Sequence, residues 1–517
     1  MTANNDGDSG RIETLASLIP KARELREQYQ QDPHRPAYHF VAPEGICHPF
    51  DPQGCIWWKG RYHMFYAYQV DEVGVWAHAS SADLVHWVHH PIPLAVAPED
   101  PEEQVYAGGS LINKDGVPTM IYHGVNAGTC IATSDDDGLI HWTKHPANPV
   151  IPKPKEGEDG HGKYHVWDTC GWLHEDTYYS ICGNHPFEPP QSDGDTAYLF
   201  RSDDLVDWEY VHPFYRSDRR WTEANEDCSC PDFFPIGDKY MLMFISHTHG
   251  TQYYIGSYDG ERFVPERHAR MSWAGGPLFA QESLLDGDGR RIFWAWVFES
   301  RSRNAQLSAG WAGVMSLPRV LSLGRDDTLL IEPAEELQIL RRNYRRREGL
   351  CIADGSEVRL EGIEGDCLEL ALDVDDPSGR KFGVMVRCSP DGEEGTVILF
   401  DGEARTLQVD TSRSSLSPDI VQPWPQHGTS FSPNPLDGRE DVRVQKAPFE
   451  LAPGEPLRLR IFLDRSILEV FANSRQCLTQ RIYPTRGDSM GTRLFSDRGD
   501  VAVRAIEAWD MAAANPW

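Results

Sequence analysis

The sequence predicts an all-β protein that consists of a five-bladed β-propeller followed by a C-terminal β-sandwich. Three observations predict this fold class. A turn motif recurs through residues 37–335, alternating strand patterns fill residues 349–517, and aromatic residues (11%), Gly and Pro are frequent. Short strands joined by tight turns are typical of such a composition. A chain of 517 residues is long enough for two or three domains.

Residues 1–36 form a polar N-terminal extension with a short helical pattern. The extension has no apolar core of the kind that a secretory signal has. The chain has no apolar run of about 18 residues, which a membrane-spanning helix would need. Its eleven cysteines are odd in number and irregularly spaced, which indicates reduced thiols rather than a disulfide framework. We therefore expect a cytoplasmic protein.

The repeat in residues 37–335 is a turn that carries an aspartate and ends in an aromatic residue. The copies are SSADLVHW, TSDDDGLIHW, RSDDLVDW and the weaker GSYDGERF, which end at Trp87, Trp142, Trp208 and Phe263. Each copy follows a strand-like run, and a unit of this size matches one propeller blade. We interpret these turns as packing elements without a chemical role.

The rest of the chain divides into a linker and a second domain. Residues 336–348 have the pattern of a linker helix with a basic end. Alternating patterns such as CLELALDV, KFGVMVRC and GTVILFDG then predict an antiparallel β-sandwich over residues 349–517. The Ser- and Pro-rich residues 412–447 are predicted to form a long loop.

The formal net charge of −30 disfavours nucleic acid and anionic membranes as partners. It favours a small-molecule or oligosaccharide substrate that is neutral or cationic. No calcium-binding loop or other ligand pattern is present, so no metal ion or other cofactor is expected. Nothing in the sequence indicates the oligomeric state.

Acidic residues recur just before strands at intervals of whole blades. Asp51 opens the first blade, Asp168 follows 117 residues later, and Glu226 follows after 58 more. The segment around Glu226 contains further acids: Glu223, Asp227 and Asp232. The innermost strands of all blades meet at the propeller axis, so we expect these carboxyls to converge there. Two carboxyls that face each other across a sugar are the basic equipment for glycoside hydrolysis.

Several runs of the sequence resemble glycoside hydrolase family 32, the invertases, inulinases and levanases. They are FDPQG and KGRYHMFY in the first blade, GWAGVMSLPR at Gly310–Arg319, and LRIFLDRSILEVFAN at Leu459–Asn473 followed by RIYP. The resemblance covers residues from about 39 to 511. It implies a propeller joined to a sandwich and a retaining hydrolysis of β-fructofuranosides such as sucrose, fructo-oligosaccharides or fructans.

The resemblance also implies residue roles. Asp51 matches the nucleophile of the family, and Asp168, in WDT where the family has Arg-Asp-Pro, matches its transition-state stabiliser. The acid/base glutamate of the family precedes Cys-Pro-Asp, where this chain has Ser229. We predict Glu226 for that role, with Asp227 and Glu223 as alternatives.

The predicted substrate-binding residues are aromatic or polar residues near these acids: Phe50, Gln53, Trp76, Tyr106 and Trp167. Phe50 stands where the family has Asn, and Ala67 where it has Gln, so the pocket for the terminal sugar should differ. Three alternatives therefore stay open: fructosyl transfer, hydrolysis of another furanoside such as an arabinofuranoside, and a carbohydrate-binding protein without catalysis.

Overall fold

The structure is a computed structural model that describes residues 19–515 apart from 25, 44, 71, 185–194, 225, 227, 426–435 and 437. Of the predicted N-terminal extension, residues 1–18 lie outside the described part. Residues 19–24 and 26–31 are helical and belong to helix α1 (residues 19–31). Gln28 and Tyr29 of this helix donate side-chain hydrogen bonds to backbone carbonyls of Ser308 and Gly310, which fasten it to the propeller.

Five antiparallel sheets follow one another between residues 52 and 333. The first contains β1 (Pro52–Trp58), β2 (Arg61–Val70), β3 (Val73–Ser81) and β4 (Trp87–Leu94). The second contains β5 (Val105–Ile112), β6 (Pro118–Gly124), β7 (Gly128–Thr133), β8 (Thr143–Lys144) and β9 (Ile151–Pro152). The third contains β10 (Trp167–His174), β11 (Thr177–Gly183), β12 (Thr196–Ser202) and β13 (Trp208–Arg216). The fourth contains β14 (Ser229–Ile236), β15 (Lys239–Ser246), β16 (Gly250–Tyr258) and β17 (Phe263–Arg270). The fifth contains β18 (Leu278–Leu285), β19 (Arg291–Val297), β20 (Val314–Met315), β21 (Arg319–Leu323) and β22 (Leu329–Pro333), with helix α2 (Arg303–Ala309) between β19 and β20.

The first strands of the five sheets form a closed ring. Strand β1 contacts β5, β5 contacts β10, β10 contacts β14, β14 contacts β18, and β18 contacts β1 again. This is the arrangement of a propeller whose blades surround an axis. The predicted all-β propeller is confirmed.

The repeated turns lead into the outermost strands of their blades. The Asp204 side chain accepts hydrogen bonds from the backbone amides of Val206 and Asp207, and Trp208 then begins β13. The indole of Trp208 donates to the Leu205 carbonyl at 2.8 Å. Asp83 accepts from backbone amides in the same way in the first blade. These turns are structural, as predicted.

Every innermost strand carries an irregularity close to its first residues, where the pairing register shifts by a β-bulge. Four of the residues involved have left-handed backbone angles: Gly54 (φ 62°), Asp168 (31°), Cys230 (45°) and Ala280 (33°). A bulge increases the local twist and changes the direction of a side chain. The five bulges lie at the same end of the axis and shape the opening of the propeller.

Two six-stranded sheets form the C-terminal domain. One has the order β23 (Arg341–Ile352), β36 (Val501–Met511), β25 (Cys367–Val374), β32 (Leu457–Asp464), β33 (Ile467–Ala472) and β34 (Gln476–Arg481). The other has the order β24 (Glu357–Arg359), β35 (Gly491–Asp497), β26 (Lys381–Cys388), β27 (Gly395–Asp401), β28 (Thr406–Arg413) and β31 (Val444–Pro448). Their apolar faces pack on each other around one buried core. The predicted β-sandwich is confirmed.

The short pair β29 (Pro423–Trp424) and β30 (Glu440–Asp441) lies in the predicted loop, of which residues 426–435 and 437 are outside the described part.

The predicted linker helix over residues 336–348 is wrong for most of its length. A short 3-10 helix ends at Leu340, and residues 341–348 belong to β23, the edge strand of the sandwich. Pairing with β36 decides this structure, because the arginines of β23 meet acidic partners there, for example Arg345 with Asp510. Tertiary pairing of this kind overrides a local preference for helix.

The two domains share buried ionic contacts. The Arg319 guanidinium of β21 binds Glu469 of β33 at 2.9 Å, and both side chains are fully buried. The Asp464 carboxylate accepts backbone hydrogen bonds from Ala37 and Tyr38. The runs GWAGVMSLPR and LRIFLDRSILEVFAN therefore form the junction between the domains.

In the described ranges, no helix is long and apolar enough to cross a membrane. All eleven cysteines lie in these ranges, and none of them is in a disulfide.

Candidate active site

A cavity of about 320 Å³ opens at the bulged end of the propeller axis. Its volume lies at the lower end of the range of small-molecule sites. The described residues that line it are His48, Pro49, Asp51, Gln53, Ala67, Gln69, Tyr106, Ala107, Trp167, Asp168, Cys230, Ile245, His247, Phe279, Trp296 and Phe298. They come from all five blades, so the ring of inner strands builds the cavity as a whole.

Asp51 lies immediately before β1 and lines this cavity. Its backbone carbonyl accepts a hydrogen bond from Ala67 on β2, which fixes the residue at the edge of the sheet. Its Oδ1 atom is buried and has no hydrogen-bond partner among the described residues. Burial, and then the negative charge of Asp168, raise the pKa of the Asp51 carboxyl to about 7, and His247 opposes the rise. Asp51 thus has a carboxyl oxygen that no described residue engages.

Asp168, the second acid of the cavity, is firmly held. It begins the bulge of β10, and its Oδ2 accepts a hydrogen bond from the Cys230 amide at 2.9 Å. Its Oδ1 lies 3.5 Å from Nδ1 of His123. Burial would raise the pKa of Asp168, but the hydrogen bond and charge of His123 and the donors of Cys230 keep it below its ordinary value. The pair therefore consists of a carboxylate of lowered pKa with hydrogen-bonding partners and a carboxyl of raised pKa, one oxygen of which has no partner among the described residues.

The predicted binding residues of the first blade occupy different layers. Gln53 lines the cavity. Trp76 is fully buried behind Gln53. When the side-chain amide oxygen of Gln53 faces the indole, the Trp76 indole N–H donates a hydrogen bond to that oxygen at 2.5 Å. Phe50 is also fully buried and stacks on Phe40 with ring centroids 6.0 Å apart. The structure places neither Trp76 nor Phe50 among the described residues that line the cavity.

Tyr106 and Trp167, the other two predicted binding residues, line the cavity on the side of Asp168. Both rings contact the imidazole of His123, with centroid separations of 6.1 Å for Tyr106 and 4.6 Å for Trp167. Burial, and then the charges of Asp168 and Asp51, raise the pKa of the Tyr106 phenol. His123, which sequence reasoning missed, is thus held by two aromatic rings beside Asp168.

Two of the predicted acid/base residues, Glu226 and Glu223, are described by the structure. Glu226 is buried, and its carboxylate accepts hydrogen bonds from the Arg270 guanidinium and from the Glu223 amide, each at 2.8 Å. In the part of the chain that the structure describes, neither Glu226 nor Glu223 lines the cavity. Asp227 lies outside the described residues. Asp232, another acid of this segment, is buried and accepts a hydrogen bond from Ser283 at 2.7 Å.

An aromatic wall opposite Trp167 was not predicted. Trp296 and Phe298 stack with centroids 4.2 Å apart, and Phe279 packs against Phe298 at 4.5 Å. His48 adds an edge contact to Trp296 at 4.6 Å. The run RIFWAWV of β19 was the available signal, but it reads as an ordinary buried strand.

The site combines two carboxyls with an aromatic lining. No lysine or arginine is among the described lining residues, and no group of three or more His, Cys, Asp or Glu side chains in the described ranges is placed to hold a metal ion. Aromatic faces bind the apolar faces of sugars, and a pair of carboxyls supports acid, base and nucleophilic chemistry at an acetal. Fold and site together define a glycoside hydrolase.

Comparison with known proteins identifies the family. The model of the glycosyl hydrolases family 32 N-terminal domain matches residues 39–333, and that of the family 32 C-terminal domain matches residues 336–510. The chain therefore belongs to glycoside hydrolase family 32.

Relatives match over nearly the whole chain. The chain is 26% identical to a sucrose-6-phosphate hydrolase of Zymomonas mobilis, over 93% of both proteins. It is 28% identical to a fructan 6-exohydrolase of Beta vulgaris, over 94% of this chain and 88% of the relative. A crystal structure of fructan 1-exohydrolase IIa from Cichorium intybus in complex with 1-kestose shares the fold, with a TM-score of 0.80 and 24% identity over 94% of this chain and 98% of that one.

Proposed function

We propose that the protein is a retaining glycoside hydrolase that cleaves β-fructofuranosides through a fructosyl-enzyme intermediate. The observation that carries this proposal is the presence of Asp51 and Asp168 in one cavity, with Oδ1 of Asp51 left without a described partner. A nucleophilic carboxylate needs a free oxygen and an open approach to the anomeric carbon. Family membership and the names of the relatives support fructosides as the substrate class.

In this mechanism Asp51 is the nucleophile and Asp168 is the transition-state stabiliser. An oxygen of ionised Asp51 attacks the anomeric carbon while the bond to the leaving oxygen breaks. Positive charge develops on the sugar ring in the transition state of this step. The carboxylate of Asp168, held by His123 and Cys230, stabilises that charge and accepts hydrogen bonds from ring hydroxyls.

The remaining role is proton transfer, first to the leaving oxygen and later from the attacking water. Glu226 stays a prediction for it, with Glu223 and Asp227 as its alternatives. The Oε1 atom of Glu226 accepts hydrogen bonds from Arg270 and the Glu223 amide, whereas its Oε2 lies 2.8 Å from the Arg270 guanidinium and 3.8 Å from His249 without a hydrogen bond to a described residue. Glu226 is not among the described residues that line the cavity.

The charge of the cavity supports an unphosphorylated substrate. Phosphate is recognised by arginine and lysine side chains, and the described lining contains neither. Two carboxyls in the cavity and a net charge of −30 repel an anionic sugar. We therefore propose sucrose and short fructans rather than sucrose-6-phosphate as substrates. Gln53, Tyr106 and Trp167 are the proposed contacts for the sugar.

A substrate panel tests the proposal. Wild type, Asp51→Asn and Asp168→Asn are assayed with sucrose, 1-kestose, sucrose-6-phosphate and an aryl arabinofuranoside, and each variant is checked for folding by thermal melting. We expect release of fructose from the first two substrates, a clearly lower kcat/KM for the phosphorylated one, and no turnover by Asp51→Asn. Preference for the arabinofuranoside or for the phosphorylated sugar would contradict the proposed specificity. Transfer products at high sucrose concentration would show a fructosyltransferase that uses the same residues.

One observation favours a second candidate function, which is carbohydrate binding without catalysis. The position of the acid/base glutamate in the family holds Ser229, and the predicted substitute Glu226 is engaged with Arg270. Titration calorimetry distinguishes the two functions, because a binding protein would give saturable heat with a fructan and no fructose in the sample afterwards.

A further inference from the structure

The cavity contains a group able to transfer protons that is not a carboxyl. Apart from Asp51 and Asp168, its titratable lining residues in the described part are His48, Tyr106, Cys230 and His247. A general acid that later acts as a general base works best when its pKa is near the pH of the reaction. Imidazole meets this condition with an ordinary pKa near 6.5.

Three of these four groups are unsuitable or less well placed. The raised pKa of Tyr106 makes its phenol a poor proton donor near neutral pH. The Cys230 thiol is directed at Asp168, with Sγ 3.5 Å from Oδ2. His48 packs against two rings of the aromatic wall, Trp296 at 4.6 Å and Phe298 at 6.0 Å between centroids.

His247 lines the cavity together with the two aspartates. It directly follows β15, at the end of the propeller where Asp51 and Asp168 lie, and its ring stands edge-on to Phe279 at a centroid distance of 5.7 Å. It is the histidine whose positive charge acts on the Asp51 carboxyl. An imidazole and the Asp51 carboxyl therefore share one cavity.

We propose that His247 is the general acid and base of this protein, acting in the cavity that Asp51 and Asp168 line. This inference rests on the proposed hydrolysis of fructosides. It assigns the proton transfer to a histidine of blade four instead of a glutamate.

The reaction then balances in two steps. In the first, Asp51 forms a bond to the anomeric carbon, the bond from that carbon to the glycosidic oxygen breaks, and its electron pair stays on the oxygen. The oxygen takes the proton of the His247 imidazolium, and the leaving sugar departs as an alcohol. In the second, water oxygen attacks the anomeric carbon, neutral His247 takes a proton from the water, and the electron pair of the breaking bond returns to Asp51. One water molecule is consumed and both side chains are restored.

The test compares two substrates that differ in their need for a proton. The alcohol that leaves from sucrose must be protonated, whereas the fluoride that leaves from β-fructosyl fluoride needs no proton. For His247→Asn we expect kcat/KM on sucrose to fall about 10²- to 10⁴-fold, and kcat/KM on the fluoride to change by less than about tenfold. Azide, a nucleophile that needs no general base, should raise kcat of the variant on the fluoride and give fructosyl azide.

Two further variants make the test specific. Glu226→Gln examines the glutamate predicted from the sequence, and His249→Asn is the matched control, because His249 is in the same loop and is not a described lining residue of the cavity. We expect the control to change kcat/KM on either substrate less than about threefold. A sucrose-selective loss in Glu226→Gln, with His247→Asn close to wild type, would overturn the inference.

A pH profile adds a readout that a merely structural role would not change. The other titratable groups among the described lining residues are Asp51, Asp168, His48, Tyr106 and Cys230. Loss of the imidazolium removes a charge that lowers the pKa of Asp51, so the acidic limb of kcat/KM on the fluoride should move to higher pH in His247→Asn. An unchanged acidic limb of the pH profile in His247→Asn would overturn the inference and leave the proposed function intact. An equal loss of kcat/KM on sucrose and on the fluoride would do the same. Absence of turnover of either substrate by folded wild type would overturn both.

Discussion

Asp51 combines a functional position with an environment that is unfavourable for its charge. Its pKa of about 7 belongs to a carboxyl that is buried near a second negative charge. Because the nucleophile must be ionised, we expect kcat/KM on an activated fructoside to fall tenfold per pH unit below about pH 7. Steady-state kinetics between pH 4 and pH 9 measures this limb, with a thermal melt at each pH as the control for folding. A limb near pH 4 would contradict the electrostatic description.

The same environment predicts a gain in stability from a substitution that abolishes activity. The pKa of Asp51 is higher in the folded protein than the ordinary value of 3.8. The folded state therefore loses stability relative to the unfolded state as pH rises from about 4 to about 7, where Asp51 becomes ionised in both states. Asp51→Asn removes this cost, so we expect a gain of about 1–4 kcal/mol at pH 8 and little gain at pH 4. Denaturant titrations at the two pH values check it. An equal gain at both values would point to packing instead of charge.

Individual residues differed in how far the sequence could place them. Asp51 and Asp168 could be predicted to share a site, because whole-blade spacing brings residues before inner strands to the same end of the axis. Trp76 and Phe50 could not be assigned to a layer, because an aromatic residue beside a strand has the same pattern whether it faces a cavity or the core. The residues that surround Asp168 are distant in sequence, so His123 gave no signal.

At the level of elements, the bulge of β1 determines where Asp51 and Gln53 point. Gly54 has a φ of 62°, and a Cβ there would lie 2.5 Å from the Trp76 ring. We expect Gly54→Ala to cost about 2–3 kcal/mol of stability and to lower kcat/KM more than tenfold, because Trp76 supports Gln53.

A matched control exists in the turn that follows β1. Gly60 has a φ of 82° and nothing within 4 Å of a Cβ at its position. Gly60→Ala therefore carries the backbone cost without the contact, and its kcat/KM should stay within about twofold of wild type. Equal effects of the two substitutions on kcat/KM would show that the contact with Trp76 is irrelevant to the site.

The elements were predictable where local pattern and tertiary environment agree. CLELALDV, KFGVMVRC and GTVILFDG gave strands because their alternation matches a sheet with one buried face. Residues 341–348 were misread as helical, because the long-range pairing of β23 with β36 leaves no local trace. Bulges need the partner strand for their definition, so the sequence alone does not show them.

At the scale of the whole molecule, buried ion pairs join the propeller to the sandwich. Glu469 accepts hydrogen bonds from Arg319 and from the Leu317 amide, and both side chains of the pair are fully buried. Removing one partner leaves the other charge buried without compensation, so we expect Glu469→Ala to cost about 3–5 kcal/mol. Urea denaturation monitored by tryptophan fluorescence measures this cost.

A double substitution distinguishes the charge effect from packing. Arg319→Met combined with Glu469→Leu removes both charges and keeps apolar volume, and it should cost less than Glu469→Ala alone. A larger cost for the double variant would mean that the pair itself stabilises the junction.

The central claim is that Asp51 attacks the sugar from a cavity that it shares with Asp168. Mass spectrometry of peptides from wild type, quenched in acid during turnover of β-fructosyl fluoride, tests it most directly. The prediction is a peptide containing Asp51 that is heavier by the mass of fructose less one water, and that is absent from Asp51→Asn treated in the same way. A fructosyl adduct on a peptide that does not contain Asp51 would contradict the claim.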